Sequence, residues 1–218
     1  NRANALQNLH RFDEAMCAYD DILRHDPRDH IAAANKGMLC LLMGQFAEGW
    51  SLYEARWKNV AMSIHSELLA YPVWNGQDSL QGNTIMMHPE QGYGEFCRYA
   101  RVLAQQAEKV YLVVNEPLLR LVSNSAAHWP EAQQIEVIST GASIPAFHYQ
   151  LPLLSAPRVL NTDLNSIPDF GTYLYADAES LARWKQVLGT KNKRRIGLVW
   201  SGSEKHSNDK NRSLLLRE

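Results

Sequence analysis

Residues Thr84–Val114 read TIMMHPEQGYGEFCRYARVLAQQAEKVYLVV, and the order of parts in this stretch decides the fold. A short apolar run, Thr84–His88, is followed by a glycine-bearing loop, a helix-forming segment and a second apolar run, Lys109–Val114. Parallel strands need a crossover connection, usually a helix, so strand–helix–strand at this length predicts a parallel pair. The pattern continues downstream. Pro117 stands where a helix tolerates proline, opening a predicted helix over Leu118–Ser125. A third strand is expected at Ile135–Ser139, and FHYQLPLLS, residues 147–155, holds a fourth. Strands alternating with helices predict a parallel sheet wound on both faces. Asp177 reads as the N-cap of a helix reaching to about Leu188, with Leu181, Trp184 and Leu188 as its apolar positions. The basic run Lys191–Arg194 reads as a linker, and RIGLVW, Arg195–Trp200, as a final strand.

Upstream of this segment the sequence repeats itself at a spacing of 34 residues. Asn1-Arg2-Ala3 returns as Asn35-Lys36-Gly37, His10 as Gly44, Phe12 as Phe46, Glu14 as Glu48, Ala15 as Gly49 and Tyr19 as Tyr53. Helical hairpins at that period, with small residues where helices cross, are the tetratricopeptide signature. In RFDEAMCAYDDILRHDP, Phe12, Ala15, Met16, Tyr19 and Leu23 fall on one helical face, and Pro27 follows the last turn. Two unrelated amphipathic hairpins are the plainer alternative. Stacked hairpins present a concave surface, here expected to hold a protein or peptide partner. So few repeats are marginal alone, and they are expected to lean on further repeats or on the downstream domain. The register begins in mid-repeat at Asn1, which reads as a fragment of a longer chain.

Composition sets bounds. The 218 residues carry a net charge of −1, which favours neither nucleic acid nor an anionic membrane surface as partner. No apolar run approaches a membrane span and no signal peptide is seen. Cys17, Cys40 and Cys97 form no C-x-x-C pair, which fits a reducing compartment. A cytoplasmic chain is therefore expected. Its expected parts are repeats over 1–57, a connector over 58–81, an α/β domain over 82–176, a helix and linker over 177–194, and the start of a second domain over 195–218.

Two loops could carry chemistry. In HPEQGYGEFCRY, Gly92 and Gly94 lie between a strand and a helix, where absent side chains let a ligand approach backbone N–H groups. G-x-G alone is a weak motif, and a tight turn without ligand is the alternative. In LVWSGSEKHSNDKNRS, Ser201, Gly202 and Ser203 offer hydroxyls and N–H groups, and Lys205 and Arg212 offer charge for a phosphate. A solvated polar loop is the alternative there. His88 and His206 flank the two loops; a structural role suits a single histidine better. There is no H-E-x-x-H, C-x-x-C or strand-end D-x-D, so no metal site is expected.

Taken in order, FAEGWSLYEARW, HPEQGYG with FCRYARVLA, YQLPLLSAP, NSIP, RIGLVWSGS and HSNDKNRS resemble bacterial tetratricopeptide proteins fused to a GT-B glycosyltransferase domain. That domain is akin to the heptosyltransferases of glycosyltransferase family 9. The resemblance spans nearly the whole chain. It implies tetratricopeptide hairpins followed by a Rossmann-like doubly wound parallel sheet, the acceptor half of a GT-B fold. The start of a second Rossmann-like domain, for a nucleotide-sugar donor, would come after it. No cofactor is implied beyond the nucleotide-sugar substrate.

Residue by residue, the family's first loop runs G-x-G-D-x-I-(Q/E)-F-C-R-Y, its aspartate being the candidate base. Here Gly94 passes directly to Glu95-Phe96-Cys97-Arg98-Tyr99, so Glu95 occupies the Gln/Glu position and is the catalytic candidate left. Gly92, Tyr93, Gly94 and Arg98 would form the acceptor-side loop. Ser201, Gly202, Asn208, Asp209, Arg212 and Ser213 match the donor-phosphate pattern, with Ser203 and Lys205 beside them. The implied mechanism is sugar transfer with a nucleoside diphosphate leaving. A base in the first loop would take the acceptor proton, while Lys205 or Arg212 would steady the departing phosphate. A dinucleotide-binding oxidoreductase fits less well, because Cys97 stands where the third glycine of that fingerprint belongs. A non-catalytic repeat scaffold with a degenerate transferase half is the stronger alternative.

Overall fold

A computed structural model describes residues 2–58, 68, 70–90, 98–202, 209, 213 and 214. The chain divides into two compact units, Asn1–Ala176 and Asp177–Glu218.

The first unit opens with two helical hairpins, α1 (Arg2–Asn8) with α2 (Phe12–His25), and α3 (His30–Leu42) with α4 (Phe46–Tyr53). Their turns repeat each other. His10 and Gly44 both take positive φ, at 58° and 80°. His10 N–H bonds Gln7 O at 3.0 Å, as Gly44 bonds Leu41 at 3.1 Å. Arg11 N–H reaches back to Leu6 O at 2.9 Å, as Gln45 does to Cys40 at 2.8 Å. These bonds satisfy carbonyls that a helix end leaves open. The predicted face of α2 is turned inward: Ala15 and Tyr19 are buried, and Phe12, Met16 and Leu23 pack against them. Asp29 caps α3 by accepting from Ala32 N–H at 2.8 Å. The α3–α4 crossing is closer than side chains allow. A β-carbon on Gly37 would lie 2.7 Å from Tyr53 N, and one on Gly49 would lie 2.9 Å from Leu41 N.

Beyond a 3₁₀ turn at Glu54–Lys58 comes a four-stranded, wholly parallel sheet in the order β3-β2-β1-β4. Its strands are β1 (Thr84–His88), β2 (Lys109–Val114), β3 (Ile135–Ser139) and β4 (Tyr149–Pro152). The first three coincide with the sequence expectation, and the fourth is a shorter piece of the expected stretch. β1 is central, Met87 facing Leu112 on one side and Leu151 on the other. The outer side of β4 is covered by the connector: Trp74 N–H donates to Gln150 O and Gln150 N–H to Pro72 O.

Alternation sorts the strands. Ile85, Met87, Val110, Leu112 and Val114 share one core with α5 (Arg98–Ala104), α6 (Glu116–Ala126) and α7 (Ala156–Val159). Met86, Val113 and Ile138 face the other way, onto Leu68 and Phe147. The β3–β4 connection, Thr140–His148, forms no helix. Pro117 sits in the first turn of α6 as expected, the helix starting slightly earlier than Leu118.

A strap, residues 168–175, crosses the outside of α5 and α6. Trp129 Nε1 donates to Tyr173 O at 2.9 Å, and Asn124 Nδ2 to Tyr175 O at 2.8 Å. Arg101 stacks over Phe170 at 3.9 Å and donates to Glu131 at 2.8 Å. Burial opposes ionisation of Glu131, but hydrogen bonds from Arg101 and Gln105 outweigh it and hold its carboxyl below the usual range. A depressed folded-state pKa contributes stability above the ordinary glutamate pKa, and that contribution disappears as pH falls through the folded value. Glu131→Gln is accordingly expected to flatten the acid limb of a stability-against-pH curve, measured by urea unfolding from about pH 7 to 3.

The second unit holds α8 (Ala178–Leu188), capped as expected by Asp177, which accepts from Ser180 N–H at 2.9 Å. The expected strand Arg195–Trp200 is not formed. Val199 is 95% exposed and Ile196 77%, and no described segment pairs with them as a ladder. Apolar, β-branched residues favour a strand only where a neighbouring backbone accepts their hydrogen bonds. Among the described residues no helix is long and apolar enough to cross a membrane.

Candidate functional site

Because β1 lies between β2 and β4, the chain leaves the carboxyl ends of β1 and β4 on the two sides of a reversal in strand order. In open parallel sheets, ligands bind in the crevice outside such a reversal. The exit of β1 is His88, Pro89 and Glu90; the exit of β4 is the 3₁₀ turn Leu153–Ser155. Both are gripped from the helical array.

The grip is a buried ionic cluster. Arg56, on the 3₁₀ turn that prolongs α4, donates from Nε to Glu90 Oε2 at 2.7 Å and from Nη2 to Oε1 at 2.9 Å. The side chains are 3% and 1% exposed. Nη2 also donates to Ser155 Oγ at 2.7 Å, and Nη1 to Glu54 Oε1 at 2.8 Å and Tyr53 O at 3.1 Å. Glu90 Oε1 further accepts Leu154 N–H at 3.0 Å, and Ser155 Oγ donates to Glu54 Oε1 at 2.9 Å. Burial works against the guanidinium charge, yet the two carboxylates more than offset it and raise its pKa. Trp57 meets His88 edge-on at 6.4 Å. His88 is itself buried and paired with Gln150 Oε1 at 3.1 Å, which suits the structural role expected of it.

Beside this edge, α4 and α5 enclose a pocket of about 100 Å³ lined by Phe46, Trp50, Tyr99, Ile167 and Pro168, with Arg98 and Asp163 at its margin. Its polar tips are turned onto one another. Trp50 Nε1 donates to Thr162 O at 2.9 Å, and Tyr99 OH to Thr162 Oγ1 at 3.2 Å. The Asp163 carboxylate accepts from Ser166 Oγ at 2.9 Å. The Arg98 guanidinium lies over Tyr173 at 4.1 Å and donates to Pro168 O at 3.3 Å. Arg98 is thus the one member of the expected acceptor-side group among the described residues; Gly92, Tyr93, Gly94 and Glu95 lie outside them.

Of the expected donor-phosphate group, Ser203, Lys205, Asn208 and Arg212 also lie outside the described residues, as does His206. Three of the others converge on one hydroxyl. Ser213 Oγ donates to Asp209 Oδ1 at 2.7 Å and accepts Gly202 N–H at 3.1 Å. Leu214 N–H bonds Trp200 O at 2.7 Å, closing the loop at its base. Ser201 Oγ makes a long contact to Gly202 O at 3.5 Å. Among the described residues no three His, Cys, Asp or Glu side chains come close enough to share a metal ion.

Sequence reasoning passed over Arg56, Glu90, Glu54 and Ser155. Arg56 and Glu90 lie within quoted blocks, but an ion pair closed across 34 residues leaves no local spacing to detect. The one available signal was a glutamate two residues beyond a mostly buried strand. No family model, no curated protein and no solved structure matches the chain. The fold and the site define an α/β chain with a parallel sheet, joined at the carboxyl edge of that sheet to an array of helical hairpins.

Proposed function

We propose that the chain is a glycosyltransferase-like protein. In this reading tetratricopeptide hairpins hold a protein or peptide partner, and a GT-B acceptor half is followed by the start of the donor half. The observation that carries this reading is topological. The chain leaves the central strand β1 through Pro89 and Glu90 at the crevice beside β4, the place where a parallel sheet of order β3-β2-β1-β4 receives ligands. The duplicated turns at His10 and Gly44, 34 residues apart, support the repeat reading. The convergence of Gly202, Asp209 and Ser213 supports a built second loop. Chemically, a base in the first loop would deprotonate the acceptor hydroxyl. Lys205 or Arg212, with backbone N–H groups of the second loop, would take up the charge on the departing nucleoside diphosphate.

The test is a thermal-shift titration of nucleoside diphosphates and nucleotide sugars into protein expressed from the full gene, with Arg212→Ala as control. One nucleotide class is expected to raise Tm by several degrees at about a hundred times its Kd, and the variant to lose that shift. No shift with any nucleotide would sink the transferase reading and leave a repeat scaffold as the better account.

A further inference from the structure

We propose that Arg56 is a positioning residue by which the helical array sets the separation of the β1 and β4 exits, and so the width of the crevice between them. A single nitrogen, Nη2, bridges the two exits, reaching Glu90 Oε1 after β1 at 2.9 Å and Ser155 Oγ after β4 at 2.7 Å. Glu90 ties the exits a second time through Leu154 N–H at 3.0 Å. The guanidinium is held from the array side, over the Tyr53 ring at 4.6 Å and the Trp57 ring at 4.9 Å, with Tyr53 O accepting from Nη1. Trp57 Nε1 adds a weaker contact to Ser155 Oγ at 3.4 Å. Any movement of the turn Glu54–Lys58 therefore moves both lips of the crevice together.

A planar fork suits this task in a way that an ammonium does not, because its donors fix direction as well as distance. Buried ion pairs add little net stability over apolar packing of the same volume, so a pair kept here specifies geometry. A partner seated on the array and favouring one disposition of α3 and α4 would bias the crevice by its difference in affinity for the two dispositions. The proposal rests on reading that crevice as the working site. Its test uses no nucleotide, so its failure is distinct from failure of the transferase reading.

The experiment is amide hydrogen exchange by NMR on the full chain, comparing Arg56→Lys with Trp50→Phe. The second variant removes a different bond of the same interface, that to Thr162 O. In Arg56→Lys, exchange at Leu154 and Ser155 is expected to quicken at least about tenfold, while Met86 and Met87 stay within about twofold of wild type. Trp50→Phe is expected to leave Leu154 within about twofold. If Arg56→Lys quickens all amides alike, or leaves Leu154 unchanged, Arg56 is a structural lock alone and the proposal falls. Should the lysine variant fail to fold, Glu90→Gln, which keeps the shape and removes the charge, carries the same comparison.

Discussion

Arg56→Met is expected to destabilise the first unit by about 3–5 kcal/mol, the largest effect of any single substitution proposed for this protein. The cost comes from what is left behind. Glu90 keeps a carboxylate that is 1% exposed and loses the two-pronged donation of the Arg56 guanidinium, with Leu154 N–H still donating to it. Ser155 Oγ and Tyr53 O lose a charged donor as well. The deficit should shrink as pH is lowered, because a buried carboxyl without its cation binds a proton more readily than in the unfolded chain. A raised folded-state pKa means that stability is present at low pH and is lost as pH rises through it. Pairing the change with Glu90→Leu should recover most of the loss, since an apolar pair of similar volume has no charge to solvate. Urea unfolding of the single and double variants at about pH 7 and pH 4.5 measures all of this. A single variant within about 1 kcal/mol of wild type would show that water reaches Glu90 and that the cluster is less dry than its geometry indicates.

Gly37→Ala is expected to cost about 2–3 kcal/mol, even though alanine is the better helix former by about 1 kcal/mol. The methyl would lie 2.7 Å from Tyr53 N and 3.0 Å from Gly49 O, so two backbones would have to part. The repeat makes the comparison informative. Position 37 corresponds to Ala3, where the first hairpin buries an alanine completely. The tighter α3–α4 crossing thus belongs to the second hairpin, the one that docks on the sheet through Trp50 and Arg56. Thermal unfolding of Gly37→Ala should show a fall of roughly 5–10 °C in the first unit's transition. An unchanged Tm would mean that the crossing opens without penalty.

The elements that were legible in the sequence are those settled by nearby residues. Thr84–His88, Lys109–Val114 and Ile135–Ser139 are strands because each is a short apolar run bounded by loop-forming residues. Asp177 caps α8 because its carboxylate reaches a backbone N–H three residues on. The inward face of α2 follows from helical spacing. Arg195–Trp200 shows the limit of that kind of reading. Its composition is that of a buried strand, yet a strand exists only with a partner, and no pairing among the described residues supplies one.

The strand before the first loop could be read from its apolar run, and Gly202, Asp209 and Ser213 meet at one hydroxyl. Arg98 could be named but not its surroundings: its charge lies over Tyr173 and on Pro168 O, contacts closed across 70 residues or more. The sequence by itself determined the 34-residue repeat and the crossovers, from the order of segments, and the strands of the sheet and the cap, from side chains within a turn or two of one another. Only the tertiary structure decided that the sheet order is β3-β2-β1-β4. It also decided that an arginine of the array holds both lips of the crevice, because burial and charge pairing between distant segments are settled by which surfaces pack together.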